Sequence, residues 1–181
     1  WNDKYNPGMR MNDVIVHSDN TGMVFVGQKI GVKNMVSYLK RFGLGSPTGI
    51  DLQGEATGVV RDPSSWYPID LATTAFGQGV SLTPIQLVAA VNSLANDGVR
   101  VAPYVVSQIV TPDGKTIDIK HEGRQRTVSA VAAKTVTSMM VNAVEFGEAK
   151  WTKIKGYKIA GKTGTAQIPV AGHYDPSQTV A

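Results

Sequence analysis

Apolar residues recur every three or four positions at Met23, Val26 and Ile30, and later at Met35, Val36 and Leu39. That spacing lays them on one face of an α-helix. Ser18-Asp19-Asn20 precedes the pattern and reads as its N-terminal cap. Gly27 and Gly31 interrupt it, which predicts two helices or a bend, and Gly43 is a natural stop. The next stretch, GLGSPTGIDLQGEATG at 43–58, is too polar and too broken by glycine and Pro47 for regular structure. It follows a helix rather than a strand, so it is not a dinucleotide fingerprint.

Further on, Thr83 and Pro84 supply an N-cap and a first helical residue for PIQLVAAVNSLAND, which Gly98 stops. The alternating runs YVVSQIV (104–110) and KTIDIK (115–120) flank Thr111-Pro112-Asp113-Gly114, the pattern of a β-hairpin. Ser129 caps a helix over AVAAKTVTSMMVNAVEFG that ends at Gly147. KIKGYKIAG, residues 153–161, reads as a strand running into Lys162-Thr163-Gly164-Thr165. Helices come first and strands gather later, with no internal repeat. The order predicts an α+β fold, an antiparallel sheet with helices packed on it.

Composition narrows the chemistry. The 181 residues are 42% hydrophobic and 18% charged, as in a globular protein. They contain no cysteine, which excludes disulfides, zinc thiolates and a cysteine nucleophile. No apolar run approaches the roughly 20 residues that cross a bilayer. The net charge is +4, and Lys150, Lys153, Lys155, Lys158 and Lys162 form its densest cluster. One solvated strand face explains that cluster; no basic helix or RNA-binding motif accompanies it, so nucleic acid is not expected as a partner. His17, His121 and His173 are scattered without metal-ligand spacing, so neither metal nor cofactor is expected. The chain opens on Trp1-Asn2-Asp3 and closes on Gln178-Thr179-Val180-Ala181, which suggests a piece of a larger protein cut at both ends.

Two polar clusters remain: Ser18-Asp19-Asn20 at a helix start and Lys162-Thr163-Gly164 further along. Either alone has an ordinary structural explanation, a helix cap or a strand with a close approach. Together they resemble the second and third motifs of serine acyl-transfer enzymes that react with β-lactams. The blocks HSDNTGMVFV, FGLGSPTGIDLQGEATG, TTAFGQGVSLTPIQLVAAVNSLANDGVRVAP and GYKIAGKTGTAQ follow in the matching order. The whole chain resembles the transpeptidase domain of penicillin-binding proteins, most closely the class B type of division and elongation.

The resemblance implies a β-lactamase/transpeptidase-like fold and a D-Ala-D-Ala transpeptidase that cross-links peptidoglycan stem peptides and binds β-lactam antibiotics. Lys162, Thr163 and Thr165 would recognise the substrate carboxylate, and Gly164 would admit an extended peptide. The Thr165 N–H would give half the oxyanion hole, Ser18 would relay a proton to the leaving amine, and Asn20 would hold the acyl side chain. It also implies action outside the bacterial cytoplasmic membrane, in a membrane-anchored parent, with other cell-wall synthesis or division proteins as partners. Phe76-Gly77-Gln78-Gly79 is family-like but its chemistry is not legible.

The family's acylated serine lies in Ser-x-x-Lys, ahead of Ser-x-Asn. Here the only such spacing is Ser37-Tyr38-Leu39-Lys40, which comes after Asn20 and in mid-helix. Ser37 is therefore expected to be a decoy, the nucleophile to lie outside these residues, and the chain alone to be inactive. Glu55, Glu122, Glu145 and Glu148 all lack an Asn four residues on, so no deacylating base of the class A lactamase kind is evident. The competing expectations are a β-lactam sensor or lactamase on the same fold, and a non-catalytic basic module for anionic wall polymer or nucleic acid.

Overall fold

The computed structural model describes residues 7–121, 123–170 and 173–180. They fall into two compact units, one of Trp1–Val32, Ser64–Gly79 and Thr135–Ala181, the other of Lys33–Pro63 and Val80–Lys134.

The first unit begins with helix α1 (Met11–Val16) and the N-terminal part of helix α2 (Asn20–Arg41). The bend expected in the long helical pattern lies at Gly31, whose φ of 75° and ψ of 160° suit only glycine. Helix α3 (Pro68–Ala75) starts with Pro68 at its first position and Asp70 accepting the Tyr67 N–H at 2.7 Å. Most of helix α5 (Ala130–Phe146) belongs here too. The core is Val14, Val16, Leu71, Ala75, Ala143, Val144 and Ala149. Neither α1 nor α3 was expected, because six and eight residues are too few for a 3.6-residue period to declare itself.

Two backbone approaches hold this unit together around α5. The first involves Gly147, just past the end of α5: a Cβ there would lie 2.4 Å from the Val16 carbonyl oxygen and 2.6 Å from that of Ala143. The second is the Gly161 N–H, which donates to the Met140 carbonyl at 3.3 Å. Asn142 adds a side-chain tie to α1, its Nδ2 donating to Asn12 Oδ1 at 2.7 Å.

In the second unit, helix α4 (Pro84–Ala95) has the expected cap and more. Thr83 Oγ1 accepts the Gln86 N–H, and Gln86 Oε1 accepts the Thr83 N–H at 3.0 Å, a reciprocal capping box. Gln86 is 1% exposed and fully used, because its Oε1 also accepts the Gly58 N–H and its Nε2 donates to the Ser46 carbonyl at 2.6 Å. The 43–58 loop is organised by Glu55, which accepts the Thr48 N–H and hydroxyl on one oxygen and the Gly49 N–H on the other. Those bonds, the Thr48 hydroxyl first, hold its carboxyl below the usual glutamate range. Ser129 caps α5 as expected, its hydroxyl accepting the Ala132 N–H at 3.1 Å.

The α+β class is borne out, but the sheet is three separate antiparallel pairs among the described residues. β1 (Val99–Arg100) pairs with β4 (Gln125–Arg126), and β2 (Gln108–Val110) with β3 (Thr116–Asp118). The β2–β3 pair is the expected hairpin, centred on Ile109 opposite Ile117 and shorter than its alternating pattern. β5 (Ala166–Val170) pairs with β6 (His173–Val180) across a register shift at Gln167/Ile168.

One expectation is corrected. Residues 153–161 form no strand: Lys155-Gly156 is a turn with Gly156 at φ 87°, and the Tyr157 N–H returns to the Ile154 carbonyl. Backbone groups used in a turn and on α5 cannot also serve a ladder. Regular β-structure starts only at Ala166, directly after the Lys-Thr-Gly-Thr motif. The lysine cluster is accordingly not one strand face: Lys150 sits in the 3₁₀ turn Glu148–Thr152, and Lys153, Lys155 and Lys158 are exposed beyond it. No helix among the described residues is long and apolar enough to cross a membrane.

Replacing Gly147 by Ala should destabilise the protein by about 1–3 kcal/mol, since its new Cβ meets backbone that cannot swing away; chemical denaturation measures it. Glu55→Gln turns an amide N–H toward the Gly49 N–H and should lower stability at neutral pH. The lowered carboxyl means the Glu55 contribution is present above the usual glutamate value and lost as pH falls through the native one. Thermal denaturation against pH should therefore show the wild type and Glu55→Gln converging in acid.

Candidate active site

Helix α1 ends in a tight reversal that displays Ser18. The Ser18 N–H donates to the Ile15 carbonyl and the Asp19 N–H to that of Val14, with Ser18 at φ 53°. This is a Schellman turn, whose left-handed position normally takes glycine. The same bond pattern ends α2 at Gly43 (φ 83°) and α3 at Gly77 (φ 93°). A serine in the left-handed region costs on the order of 1 kcal/mol that glycine would not. Serine here brings a hydroxyl that the turn itself does not require.

The expected capping stretch of α2 does its work through its middle residue. Asp19 does the capping: its Oδ1 accepts the Gly22 N–H at 2.7 Å and the Thr21 hydroxyl at 2.6 Å. Those bonds, the Thr21 hydroxyl foremost, hold the Asp19 carboxyl below its ordinary value. With Asp19 taken up by the helix end, Ser18 and Asn20 on either side are left exposed.

Lys162 comes to Ser18 from 144 positions away in the chain, its Nζ donating to Ser18 Oγ at 2.9 Å. The same ammonium donates to the Thr163 carbonyl at 2.7 Å and to Thr163 Oγ1 at 3.3 Å. Three of the residues singled out in the sequence are thus joined directly. Asn20, the first residue of α2, is not among the partners of Lys162. Gly164 and Thr165 follow, exposed, and a Cβ at Gly164 would meet nothing within 4 Å. The surface beside Gly164 is open enough for a backbone to approach.

Desolvation lowers the Lys162 ammonium from the ordinary lysine value, although much of the side chain is exposed, and the Glu148 charge opposes that shift. By sequence Glu148 is only a glutamate with no Asn four residues on, and nothing in its spacing marks it as a neighbour of Lys162. Ser37 and Lys40 are both exposed on the part of α2 that belongs to the second unit. Phe76-Gly77-Gln78-Gly79 is the turn that closes α3, with the Gln78 N–H on the Thr73 carbonyl.

A hydroxyl, an ammonium and a second hydroxyl converging on an exposed surface can pass a proton and hold an anion. Known proteins carry the same arrangement of chain. The family model of the penicillin binding protein transpeptidase domain matches residues 1–179. Stage V sporulation protein D of Bacillus subtilis is 38% identical over 90% of this chain and 25% of its own length. A probable peptidoglycan D,D-transpeptidase, PenA of Neisseria gonorrhoeae, is 29% identical over 97% of this chain and 29% of its own length. Among solved structures, penicillin binding protein 3 of Mycobacterium tuberculosis in complex with aztreonam superposes with a TM-score of 0.87 at 35% identity, covering 92% of this chain and 39% of that one. The chain therefore spans about a quarter of the curated relatives it matches, and it belongs to the penicillin binding protein transpeptidase family, class B type.

Proposed function

We propose that this chain is part of a serine-type D-Ala-D-Ala transpeptidase, which cross-links peptidoglycan stem peptides through an acyl-serine and is blocked when a β-lactam acylates that serine. The observation that carries the reading is the 2.9 Å contact between Lys162 Nζ and Ser18 Oγ.

The chemistry needs a nucleophile, a proton path to the leaving amine, an oxyanion hole and a site for the terminal carboxylate. A serine hydroxyl attacks the carbonyl between the two D-Ala residues; the C–N bond breaks, D-Ala leaves with a proton, and an amine acceptor later takes the acyl group. Lys162 with the Thr163 and Thr165 hydroxyls receives the substrate carboxylate, and open space at Gly164 lets the peptide lie alongside. The Thr165 N–H turns toward the oxyanion. Ser18, whose oxygen already accepts from Lys162, hands its own proton to the leaving amine and is replenished through that contact. Asn20 binds the acyl side chain. No Ser-x-x-Lys precedes Ser18 in these residues, and Ser37 follows Asn20 in mid-helix. A longer parent polypeptide provides the attacking oxygen, consistent with relatives about four times the matched length. It works outside the cytoplasmic membrane, where its substrate is, with other cell-wall synthesis proteins.

Incubated with benzylpenicillin, the 181-residue chain should keep its mass of 19.3 kDa; an adduct in intact-mass spectrometry overturns the assignment of the nucleophile and returns Ser37 to candidacy. In the longer parent, Ser18→Gly should slow penicillin acylation by about 10²–10⁴-fold, the usual worth of a positioned proton-transfer group. Its melting temperature should hold or rise, because glycine suits the backbone at φ 53°. A rate within twofold of wild type in stopped-flow acylation would remove Ser18 from the mechanism.

A further inference from the structure

Lys162 sits partly out of water with a charge to maintain, and the acids around it are nearly all committed elsewhere. In the first unit, Asp13 accepts the Arg10 N–H, Asp19 caps α2 and Asp70 caps α3. Glu145 is ion-paired to Lys153 at 2.8 Å. Glu148 has no such engagement among the described residues, and it is the acid whose charge reaches Lys162.

Its placement follows from the backbone. Glu148 opens the 3₁₀ turn directly after Gly147, and Gly147 lies against the Val16 carbonyl, two residues before Ser18. Only a residue without Cβ permits that approach, so Glu148 is set beside the Ser18 turn. On the other side, the bond from the Gly161 N–H to the Met140 carbonyl brings in the residue just before Lys162. Gly147 thus sets Glu148 beside the Ser18 turn, and Lys162 reaches the same turn through its 2.9 Å bond to Ser18 Oγ.

We propose that Glu148 is a positioning residue for the site: its carboxylate, set beside the Ser18 turn by Gly147, holds the Lys162 side chain directed at Ser18 and ready for a carboxylate substrate. This deepens the transpeptidase reading and rests on it for its catalytic consequence. Desolvation alone would let Lys162 shed its proton more readily, and a neutral amine neither attracts the terminal carboxylate nor donates to Ser18 Oγ as an ammonium does. Glu148 opposes that loss, while the Lys162 N–H groups are directed to Ser18 and Thr163. Of the other ionisable groups close in sequence to this place, His17 precedes Ser18 and Asp19 is held by Thr21 and Gly22.

The test is the titration of the Lys162 side chain by NMR in the 181-residue protein, with Lys162→Arg to assign the signal. Glu148→Gln should move the midpoint to lower pH, Glu148→Asp should largely restore it, and Glu145→Gln, which frees Lys153 instead, should leave it in place. An unchanged midpoint in Glu148→Gln, or an equal shift in Glu145→Gln, overturns the proposal. In the longer parent, the alkaline limb of penicillin acylation should move toward lower pH in Glu148→Gln and return in Glu148→Asp; a limb that stays put overturns the catalytic consequence. Failure of the transpeptidase reading looks different: Lys162→Ala would then leave acylation unaffected, whatever the titration shows.

Discussion

The site depends on one place where a side chain is missing. Gly147 lets the chain leaving α5 press on the carbonyl of Val16, where any Cβ would have to occupy space 2.4 Å from that oxygen. From this contact the backbone runs one way into Ser18 and the other way into Glu148. The bond from Gly161 to Met140 and the tie between Asn142 and Asn12 fasten the remaining pieces to the same helix. α5 therefore acts as a spine: residues far apart in sequence meet because each is latched to it within a few positions of its functional group. The 2.9 Å contact of Lys162 with Ser18 is the outcome of this packing. One strong hydrogen bond between exposed groups could not hold two segments together on its own.

Polar side chains divide into those that serve the backbone and those left for chemistry. Asp19, Asp70, Glu55 and Gln86 all spend their oxygens on main-chain N–H groups at helix starts or in loops. Asp51 does the same for Val105 and Val106 at 2.7 and 2.8 Å. A carboxylate accepting such bonds is held ionised and fixed in place, which makes it a good brace and a poor proton carrier. Glu55 illustrates the point: a search for a deacylating acid brings it forward, and its bonds to Thr48 and Gly49 assign it to the loop. Ser18 and Lys162 show the opposite commitment. Ser18 sits in a conformation that favours glycine, and Lys162 is partly desolvated; both carry a local cost that only their polar atoms explain.

Much of the architecture was written in local chemistry. Thr83 with Pro84, Ser129, and the Thr111–Gly114 turn specify their elements within a few residues, so propensity and capping suffice to find them. The bend at Gly31 and the stop at Gly43 were legible for the same reason. Short elements were not: α1 and α3 owe their existence to burial of Val14, Val16 and Leu71, a property of the neighbours rather than of the segment. Residues 153–161 show the converse error, where a strand-like sequence has its N–H groups claimed by a turn and by α5.

The sequence by itself determined the family and the α+β class and pointed to candidate site residues, because motif identity and order survive without coordinates. Ser18, Asn20, Lys162, Thr163, Gly164 and Thr165 are candidates through the motifs they share with the family. What only the tertiary structure decided was which of them touch, and that the Glu148 charge bears on Lys162. Those facts rest on backbone approaches between segments more than a hundred residues apart, at Gly147 and Val16, and on burial around one ammonium. Neither leaves a periodic trace in the chain, since each depends on what folding brings alongside rather than on what comes next.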